Sequence, residues 1–347
     1  MKNLLRFRAK VLVLTAIFLI CIVSVLSAQK IAIIDAGSSG SRLYVYELNA
    51  QHKLTCLYPT PGISATKGGE LYKTVVIDNN VKDFLEKMIR PANTVVGTEI
   101  PLYILATAGM REIPNANLVY SKIYAQAGNL GNYVFKGVMT ISGRYEGFCA
   151  WVAANYKKGG ISINAPGNQL VFNPDKQIYG ILEIGGASMQ IAFPANGSGG
   201  DYIQRNGITI YSKSYLNYGV DVICKKYENK NLFYNFTEKL DKISSKDSFL
   251  GLGNAFKTAF DSASTKGVSI EEYPSRIKID DLIHPNHKPN QIDQFHSYMN
   301  AYYIASVIEK LQLAHRLVQP GEEISWTEGA ALDILLYGLI PEPYNKN

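Results

Sequence analysis

Short apolar segments and segments with a helical period follow one another along the chain after residue 28. Apolar, β-branched runs bounded by small residues predict strands at 31–34, 43–46, 101–106 and 133–141. Apolar positions three and four residues apart predict helices at 74–89 and 148–156. Strands that alternate with helices are typical of an α/β domain.

The strand–turn–strand pattern of the first hairpin returns in the second half of the chain. Asp35 ends the first strand of one hairpin, and Glu183 holds the same place in the other, 148 residues later. Such a repeat predicts two related half-domains that each present one loop to a shared cleft. Residues 157–176 are polar and without a period, which predicts a link or an insertion, and residues 298–313 and 325–335 predict the last helices.

The amino terminus predicts a targeting segment rather than part of the fold. Residues 11–28 are almost wholly apolar, and four basic residues and no acid precede them: Lys2, Arg6, Arg8 and Lys10. This pattern predicts an export signal over residues 1–28, with an uncleaved membrane anchor as the alternative. Either interpretation places the folded part outside the cytoplasm, secreted or periplasmic, with a membrane contact only if the segment stays as an anchor.

Charge and cysteine content exclude several classes of protein. The net charge of +6 owes four charges to the first ten residues, so no basic patch predicts a nucleic-acid partner. Cys56, Cys149 and Cys224 remain after residue 28, and an odd number this small predicts no disulfide framework. The five histidines have no metal-site or triad spacing, which argues against a zinc enzyme and against a Ser-His-Asp hydrolase.

The two hairpin turns are rich in groups that bind anionic oxygens. The first turn contains Ser38, Ser39, Gly40 and Ser41, and the second contains Gly185, Gly186, Ala187 and Ser188. Glycine lets the backbone approach a ligand, and backbone N–H groups and hydroxyls donate to phosphate. Neither turn is a Walker A or dinucleotide motif. One such hairpin alone would be an ordinary glycine turn, but two with matched acids favour a phosphate site.

Five segments in order resemble the motifs of the ectonucleoside triphosphate diphosphohydrolases, the apyrase family. They are Asp35-Ala-Gly-Ser-Ser-Gly-Ser-Arg42, Ala106-Thr-Ala-Gly-Met-Arg111, Glu146-Gly147 with Trp151, Gly185-Gly-Ala-Ser-Met-Gln190 and Trp326-x-x-Gly-Ala330. The segment at 214–219 resembles a further family segment, and the chain is similar to the shorter bacterial secreted members.

The resemblance implies a two-lobed actin-like (RNase H-like) α/β fold with a central cleft between duplicated half-domains. Residues 29–156, completed by 325–347, would form lobe I, and residues 157–324 would form lobe II. The implied activity is hydrolysis of nucleoside tri- and diphosphates to monophosphates with Ca²⁺ or Mg²⁺.

The resemblance also implies a role for each motif residue. Glu146 would be the general base, and Ser188 and Gln190 would hold the attacking water. Residues 38–41 and 185–187 would bind the phosphates. The waters around the cation would be ordered by Asp35, Thr107, Glu183 and Trp326, and Tyr302 and Tyr303 would stack on the base.

Other interpretations stay open at several of these positions. Glu146 could simply cap the following helix, where an acid interacts favourably with the N-terminal dipole. Arg42 and Arg111 could bind phosphate or form salt bridges that fix the loops. Trp326, Tyr302 and Tyr303 could belong to the core. An exopolyphosphatase-like enzyme of the same fold and a non-catalytic nucleotide-binding relative are the alternative functions.

The chain also departs from the family pattern. Glu183 stands where an aspartate is usual, and Tyr145 replaces one of two acids in the third motif.

Overall fold

The computed structural model describes most of the chain that follows the predicted signal. The described residues are 28–59, 67–68, 70–77, 79–128, 130–164, 167–227, 240, 242–243, 245–265, 267–270, 272, 292–319, 323–338, 341 and 343–344. The predicted export signal therefore lies almost wholly outside the described residues.

The first half of the chain forms a six-stranded sheet. Its strands are β1 (Gln29–Gly37), β2 (Gly40–Leu48), β3 (Leu54–Tyr58), β4 (Lys67–Gly68), β5 (Ile100–Ala106) and β6 (Tyr133–Thr140). The strand order is β3-β2-β1-β5-β6, and β4 pairs with β2. Strand β1 is antiparallel to β2 and parallel to β5. The apolar runs read from the sequence thus form the centre of this sheet.

A small hairpin follows, formed by β7 (Ile161–Asn164) and β8 (Gln169–Phe172). A second six-stranded sheet contains β9 (Gly180–Ile184), β10 (Ser188–Pro194), β11 (Tyr202–Arg205), β12 (Ile208–Leu216), β13 (Phe249–Leu252) and β14 (Leu317–Val318). Its strand order is β11-β12-β10-β9-β13-β14. Strand β9 is antiparallel to β10 and parallel to β13. Because this pattern repeats that of β1 with β2 and β5, the predicted duplication of two half-domains is confirmed.

The α-helices in the described part of the chain lie between and after the strands. They are α1 (Val81–Ile89), α2 (Ala108–Arg111), α3 (Ala116–Gln126), α4 (Gly143–Lys157), α5 (Val220–Tyr227), α6 (Asn254–Thr265), α7 (Ile292–Leu311) and α8 (Trp326–Tyr337).

Three hydrophobic cores separate the layers. One core lies between the first sheet and the helices α1 and α3. A central core packs α4 and α8 between the two sheets, and a third core lies between the second sheet and the helices α6 and α7. The molecule is therefore a layered α/β structure with α4 and α8 in the middle.

Strand alternation decides where the polar residues of the hairpins point. Ile31 and Ile33 of β1 face the central core, so Asp35, two residues further on, continues that face. Ile181 of β9 faces the same core, and Glu183 continues its face. Both acids therefore point into the layer between the sheets.

Two predicted helices begin or continue differently in the structure. Residues 74–89 do not form one helix, because a π-helical turn at Lys73–Ile77 is separated from α1 by Asn79, whose φ of 50° is left-handed. The helix predicted from residue 148 begins at Gly143, where the Ser142 hydroxyl accepts a hydrogen bond from the Tyr145 N–H at 3.0 Å. Glu146 consequently lies in the first helical turn.

The segment 157–176, predicted as a link or insertion, contains the β7–β8 hairpin, which buries Ile161 and Leu170 in the central core. These strands have four residues each, too few for a clear alternation. Cys56 and Cys149 are free thiols in the described part of the chain. The exact lobe boundaries, 29–156 with 325–347 and 157–324, stay a prediction.

The two central helices pack backbone against backbone at one glycine. A Cβ built at Gly329 of α8 would overlap the carbonyl oxygen of Cys149 in α4. Only glycine allows this approach, which explains the glycine of the motif that begins at Trp326.

We expect Gly329→Ala to lower the free energy of unfolding by roughly 2–4 kcal/mol, because the overlap with α4 backbone outweighs the ~1 kcal/mol that alanine gains in helix propensity. Urea unfolding followed by circular dichroism measures the change. Gly97→Ala is the control, since a Cβ at Gly97 has no neighbour within 4 Å. Equal stability of the two variants would contradict the packing argument.

Candidate active site

The turn of the first hairpin is fixed against the start of α2. Gly37 pairs with Gly40, so Ser38 and Ser39 form the turn itself, and Gly40 has a φ of 127° that favours glycine. A Cβ at Gly109 of α2 would lie 2.9 Å from the Ser38 Cα. The backbone of this turn therefore rests directly on the second motif of the sequence.

The turn of the second hairpin is fixed by the start of α5. The carbonyl oxygens of Gly185 and Gly186 accept hydrogen bonds from the N–H groups of Val220 and Asp221, each at 2.9 Å. Gly219 packs on the same turn, where a Cβ would overlap the backbone of Gly186. The segment 214–219, noticed in the sequence, thus positions the second turn.

The two turns face each other across a narrow gap. A Cβ built at Gly186 would lie 2.8 Å from the Ser38 hydroxyl oxygen and would overlap the Asp221 carboxylate. A side chain at position 186 would therefore fill the space between the hairpins. The sequence predicted that these two turns share a cleft, but it gave no sign that Asp221 lies beside them.

Glu146 lies at the centre of a buried polar cluster. Its carboxylate forms an ion pair with Arg111, and its Oε2 accepts a hydrogen bond from the Gln190 amide at 3.2 Å. Gln190 also contacts the Ser188 hydroxyl at 2.6 Å and the Ser214 hydroxyl at 3.3 Å. The structure thus brings together Glu146, Ser188 and Gln190, the three residues to which the family resemblance assigned the activation of the attacking water.

The small residue after Glu146 is required by this cluster. A Cβ at Gly147 would lie 2.7 Å from the Ser212 hydroxyl and 3.2 Å from the Gln190 Cβ. Glycine therefore lets the first turn of α4 approach β10 and β12 closely enough for Glu146 to contact Gln190.

Arg111 forms a salt bridge with Glu146. A salt bridge was one of the two interpretations of Arg111 that the sequence left open, the other being phosphate binding. The Arg111 Nε donates to the Ile141 carbonyl at 3.0 Å, and the guanidinium pairs with Glu146. Arg111 is 3% exposed. The guanidinium therefore fixes the position of the Glu146 carboxylate from the side of the first sheet.

The carboxyl groups of Asp35 and Glu183 are buried, and the pKa values of both are raised. Burial, and then the charge of Glu146, raise the pKa of Asp35 from 3.8 to about 7, although Arg42 and a hydrogen bond with Trp326 act in the opposite direction. Burial, and then Glu146 and Asp35, raise the pKa of Glu183 well above 4.5. Like charges in a dry site are unfavourable unless a cation compensates them.

The donor set fits a hydrated divalent cation. Within the described residues, Asp35 Oδ1 and Glu183 Oε2 are buried and have no hydrogen-bond partner. Oxygen ligands and water are what Ca²⁺ and Mg²⁺ prefer. No group of three or more His, Cys, Asp or Glu side chains in the described part of the chain could ligate a metal directly. The two buried, unpartnered carboxylate oxygens are the observation that suits a cation held through water.

The remaining predicted site residues fall into two groups. Thr107 lies beside the first turn, since its N–H donates to the Ala36 carbonyl at 3.3 Å, and Trp326 contacts Asp35 from the start of α8. Tyr303 is 1% exposed and packs in the third core, with its hydroxyl bonded to the Tyr218 carbonyl, and Tyr302 is half-buried against that core. The structure does not bring these tyrosines into the polar cluster.

These features define a two-lobed protein whose cleft joins two phosphate-type turns to a buried carboxylate cluster. The sequence matches the GDA1/CD39 (nucleoside phosphatase) family over residues 27–291. The chain belongs to this family, and the resemblance to the apyrases is confirmed.

Curated relatives agree with this assignment. Ectonucleoside triphosphate diphosphohydrolase 1 of Mus musculus is 30% identical over 217 residues, which cover 54% of this chain and 41% of the relative. Probable apyrase 3 of Arabidopsis thaliana is 27% identical over 57% of this chain and 42% of its own length. The matched part is thus about two fifths of these relatives' length.

Solved structures confirm the actin-like fold. Nucleoside triphosphate hydrolases from Neospora caninum superpose with a TM-score of 0.54 at 12% identity, over 95% of this chain and 97% of that one. The Aquifex aeolicus PPX-GPPA enzyme superposes with a TM-score of 0.53 at 15% identity, over 88% of this chain and 100% of that one.

The helices of the described residues give no candidate for crossing a bilayer, since none is both long and apolar enough.

We expect Asp35→Asn to stabilise the chelator-treated protein above neutral pH. Since the folded pKa of Asp35 is raised to about 7, its favourable contribution is complete below pH ~4 and is lost as pH rises through ~7. The variant should therefore exceed wild type by roughly 1–3 kcal/mol at pH 8 and not at pH 4.

Thermal unfolding in EDTA between pH 4 and pH 8 measures this difference. Asp175→Asn is the control, because Asp175 is an exposed aspartate outside the cluster. A stability difference between wild type and Asp35→Asn that stays constant over this range would contradict the assigned shift.

Proposed function

We propose that the protein hydrolyses nucleoside tri- and diphosphates to monophosphates and phosphate in the cleft between its lobes. The observation that carries the proposal is the bond from the Gln190 amide to Glu146 at 3.2 Å, together with its contact to Ser188 at 2.6 Å. This chain of contacts joins a buried carboxylate to the second phosphate-type turn.

The phosphates bind between the two hairpin turns. The first turn offers the hydroxyls of Ser38 and Ser39, with the buried Ser41 next to it on β2, and the second turn offers the backbone of residues 185–187. The overlap that a side chain at Gly186 would make with Ser38 supports a site in which both turns contact one phosphoanhydride. Donors on two sides hold the reacting phosphorus in line with the attacking oxygen, which is the main requirement of phosphoryl transfer.

Glu146 accepts the proton of the attacking water. Ser188 and Gln190 hold this water, its oxygen forms a bond to the terminal phosphorus, and the bond to the bridging oxygen breaks. The proton moves to the Glu146 carboxylate, whose orientation is fixed by Arg111. Because Glu146 lies in the first turn of a buried helix, its position changes little when substrate binds.

Asp35, Glu183, Thr107 and Trp326 would hold a Ca²⁺ or Mg²⁺ ion through its waters. A bound divalent cation supplies charge neutralisation for the phosphate oxygens. The buried oxygens of Asp35 and Glu183 support this role. The side chain of Glu183 is one methylene longer than the usual aspartate, so its oxygens reach further from β9 into the central layer.

The sequence motifs and the relatives bear on the choice of substrate. The apyrase-like motifs favour nucleotides over inorganic polyphosphate, although the Aquifex aeolicus PPX-GPPA enzyme shares the fold. An exopolyphosphatase-like activity is therefore the second candidate. Export from the cytoplasm is proposed from the basic and apolar residues 1–28. The proposed boundaries are 29–156 with 325–347 for lobe I and 157–324 for lobe II.

We expect Glu146→Gln to lower kcat for ATP and ADP about a hundredfold or more, because glutamine cannot accept the proton of water. Glutamine keeps the size of the side chain, so a non-hydrolysable nucleotide should bind with near-normal affinity. Phosphate release and calorimetry measure the two quantities.

Glu47→Gln provides the control, since Glu47 lies on β2, outside the polar cluster, and forms a partly exposed ion pair with Lys30 at 3.5 Å. Its turnover should equal that of wild type. Wild-type turnover of Glu146→Gln would remove Glu146 from the mechanism.

A further inference from the structure

A second buried polar cluster lies behind the candidate active site and is centred on Asp333 of α8. Asp333 is fully buried, and its Oδ2 accepts a hydrogen bond from the Tyr145 hydroxyl at 3.0 Å. Its Oδ1 pairs with the Arg205 Nε at 3.0 Å, and the Arg205 guanidinium lies 5.5 Å from the centre of the Phe148 ring. We call Tyr145, Asp333 and Arg205 the rear cluster.

The rear cluster connects three elements that each carry part of the candidate site. Tyr145 belongs to α4, which carries Glu146. Asp333 belongs to α8, which begins at Trp326. Arg205 ends β11, which is joined through β12 to the strand of Ser188 and Gln190.

Tyr145 and Glu146 are neighbours in the same first turn of α4, about 100° apart around the helix axis. The bond from Tyr145 to Asp333 therefore fixes the rotation of this turn, and that rotation decides where the Glu146 carboxylate lies relative to Gln190. A small rotation would lengthen the Gln190–Glu146 contact of 3.2 Å.

The residue types of the rear cluster favour a role in orienting the Tyr145 side chain over a contribution to the free energy of unfolding. Asp333 is a charge in the central core, where desolvation offsets most of the attraction to Arg205. An apolar side chain at position 333 would pack between α4 and α8 without that cost. A hydrogen-bonded carboxylate instead defines one direction for the Tyr145 ring.

We propose that Tyr145 is a positioning residue that acts through Glu146, with Asp333 and Arg205 as its fixed support. This inference rests on the proposed role of Glu146 as general base. Because the Tyr145 hydroxyl bonds to Asp333 and not to a residue proposed to bind nucleotide, its effect is expected in kcat and not in the binding of nucleotide.

The test compares Tyr145→Phe in two backgrounds. Loss of one hydrogen bond to a charged group should lower kcat for ATP about fivefold, with KM changed by less than about twofold. Tyr156→Phe is the matched control on the same helix, because the Tyr156 hydroxyl accepts from the Leu54 N–H at 2.8 Å far from Glu146. Its kcat should stay at the wild-type value.

The double variant separates positioning from general stability. In the Glu146→Gln background, adding Tyr145→Phe should change the residual kcat by less than about 1.5-fold, because a residue that acts through Glu146 has nothing left to orient.

An unchanged kcat for Tyr145→Phe, or the same fivefold loss in both backgrounds, would overturn the positioning role while leaving Glu146 as the base. Wild-type turnover of the single variant Glu146→Gln would instead overturn the base assignment, and the positioning role with it.

Discussion

The close approach of the two glycine turns is the contact on which the rest of the site depends. Ser38 and Gly186 lie so near each other that a Cβ at position 186 would come within 2.8 Å of the Ser38 hydroxyl. Each turn is held from behind, the first by Gly109 of α2 and the second by the N–H groups at the start of α5. Backbone contacts thus fix each turn against its own neighbouring helix, and the Ser38 hydroxyl and the Asp221 carboxylate line the gap between the turns.

This arrangement concentrates negative charge in the central layer. Asp35, Glu146 and Glu183 all point into it, and the described cationic partner of Glu146 is Arg111. The consequence is visible in the raised pKa values of Asp35 and Glu183, whose first cause is burial and whose second is Glu146. In the proposed function, a divalent cation bound together with phosphate would compensate the like charges of these carboxylates.

The sequence predicted the fold well because its signals are local. Apolar runs and matched acids at Asp35 and Glu183 were sufficient to predict two related hairpins, and the resemblance then gave their place in a two-lobed fold. The start of α4 was missed because a cap at Ser142 is a weaker signal than the apolar run that begins at Phe148. The break at Asn79 was missed because a left-handed residue does not interrupt the helical period of the residues around it.

The site was predicted only in part. Glu146, Ser188 and Gln190 stand in recognisable segments, and the structure brings them together. Asp221 and Asp333 were missed because they come from different parts of the chain and no motif marks them. Arg111 could be recognised but not assigned, since phosphate and carboxylate partners suit a guanidinium equally well. Long-range pairs of this kind depend on the packing of elements and not on any pattern within one element.

Phosphate release from purified protein tests the central claim most directly. ATP, ADP and inorganic polyphosphate would be supplied in turn with Ca²⁺ or Mg²⁺, and each reaction repeated in EDTA. The account predicts that both nucleotides release phosphate, that hydrolysis stops at the monophosphate, and that EDTA abolishes it. Release from polyphosphate with none from either nucleotide would contradict the account, as would a complete lack of turnover with all three substrates.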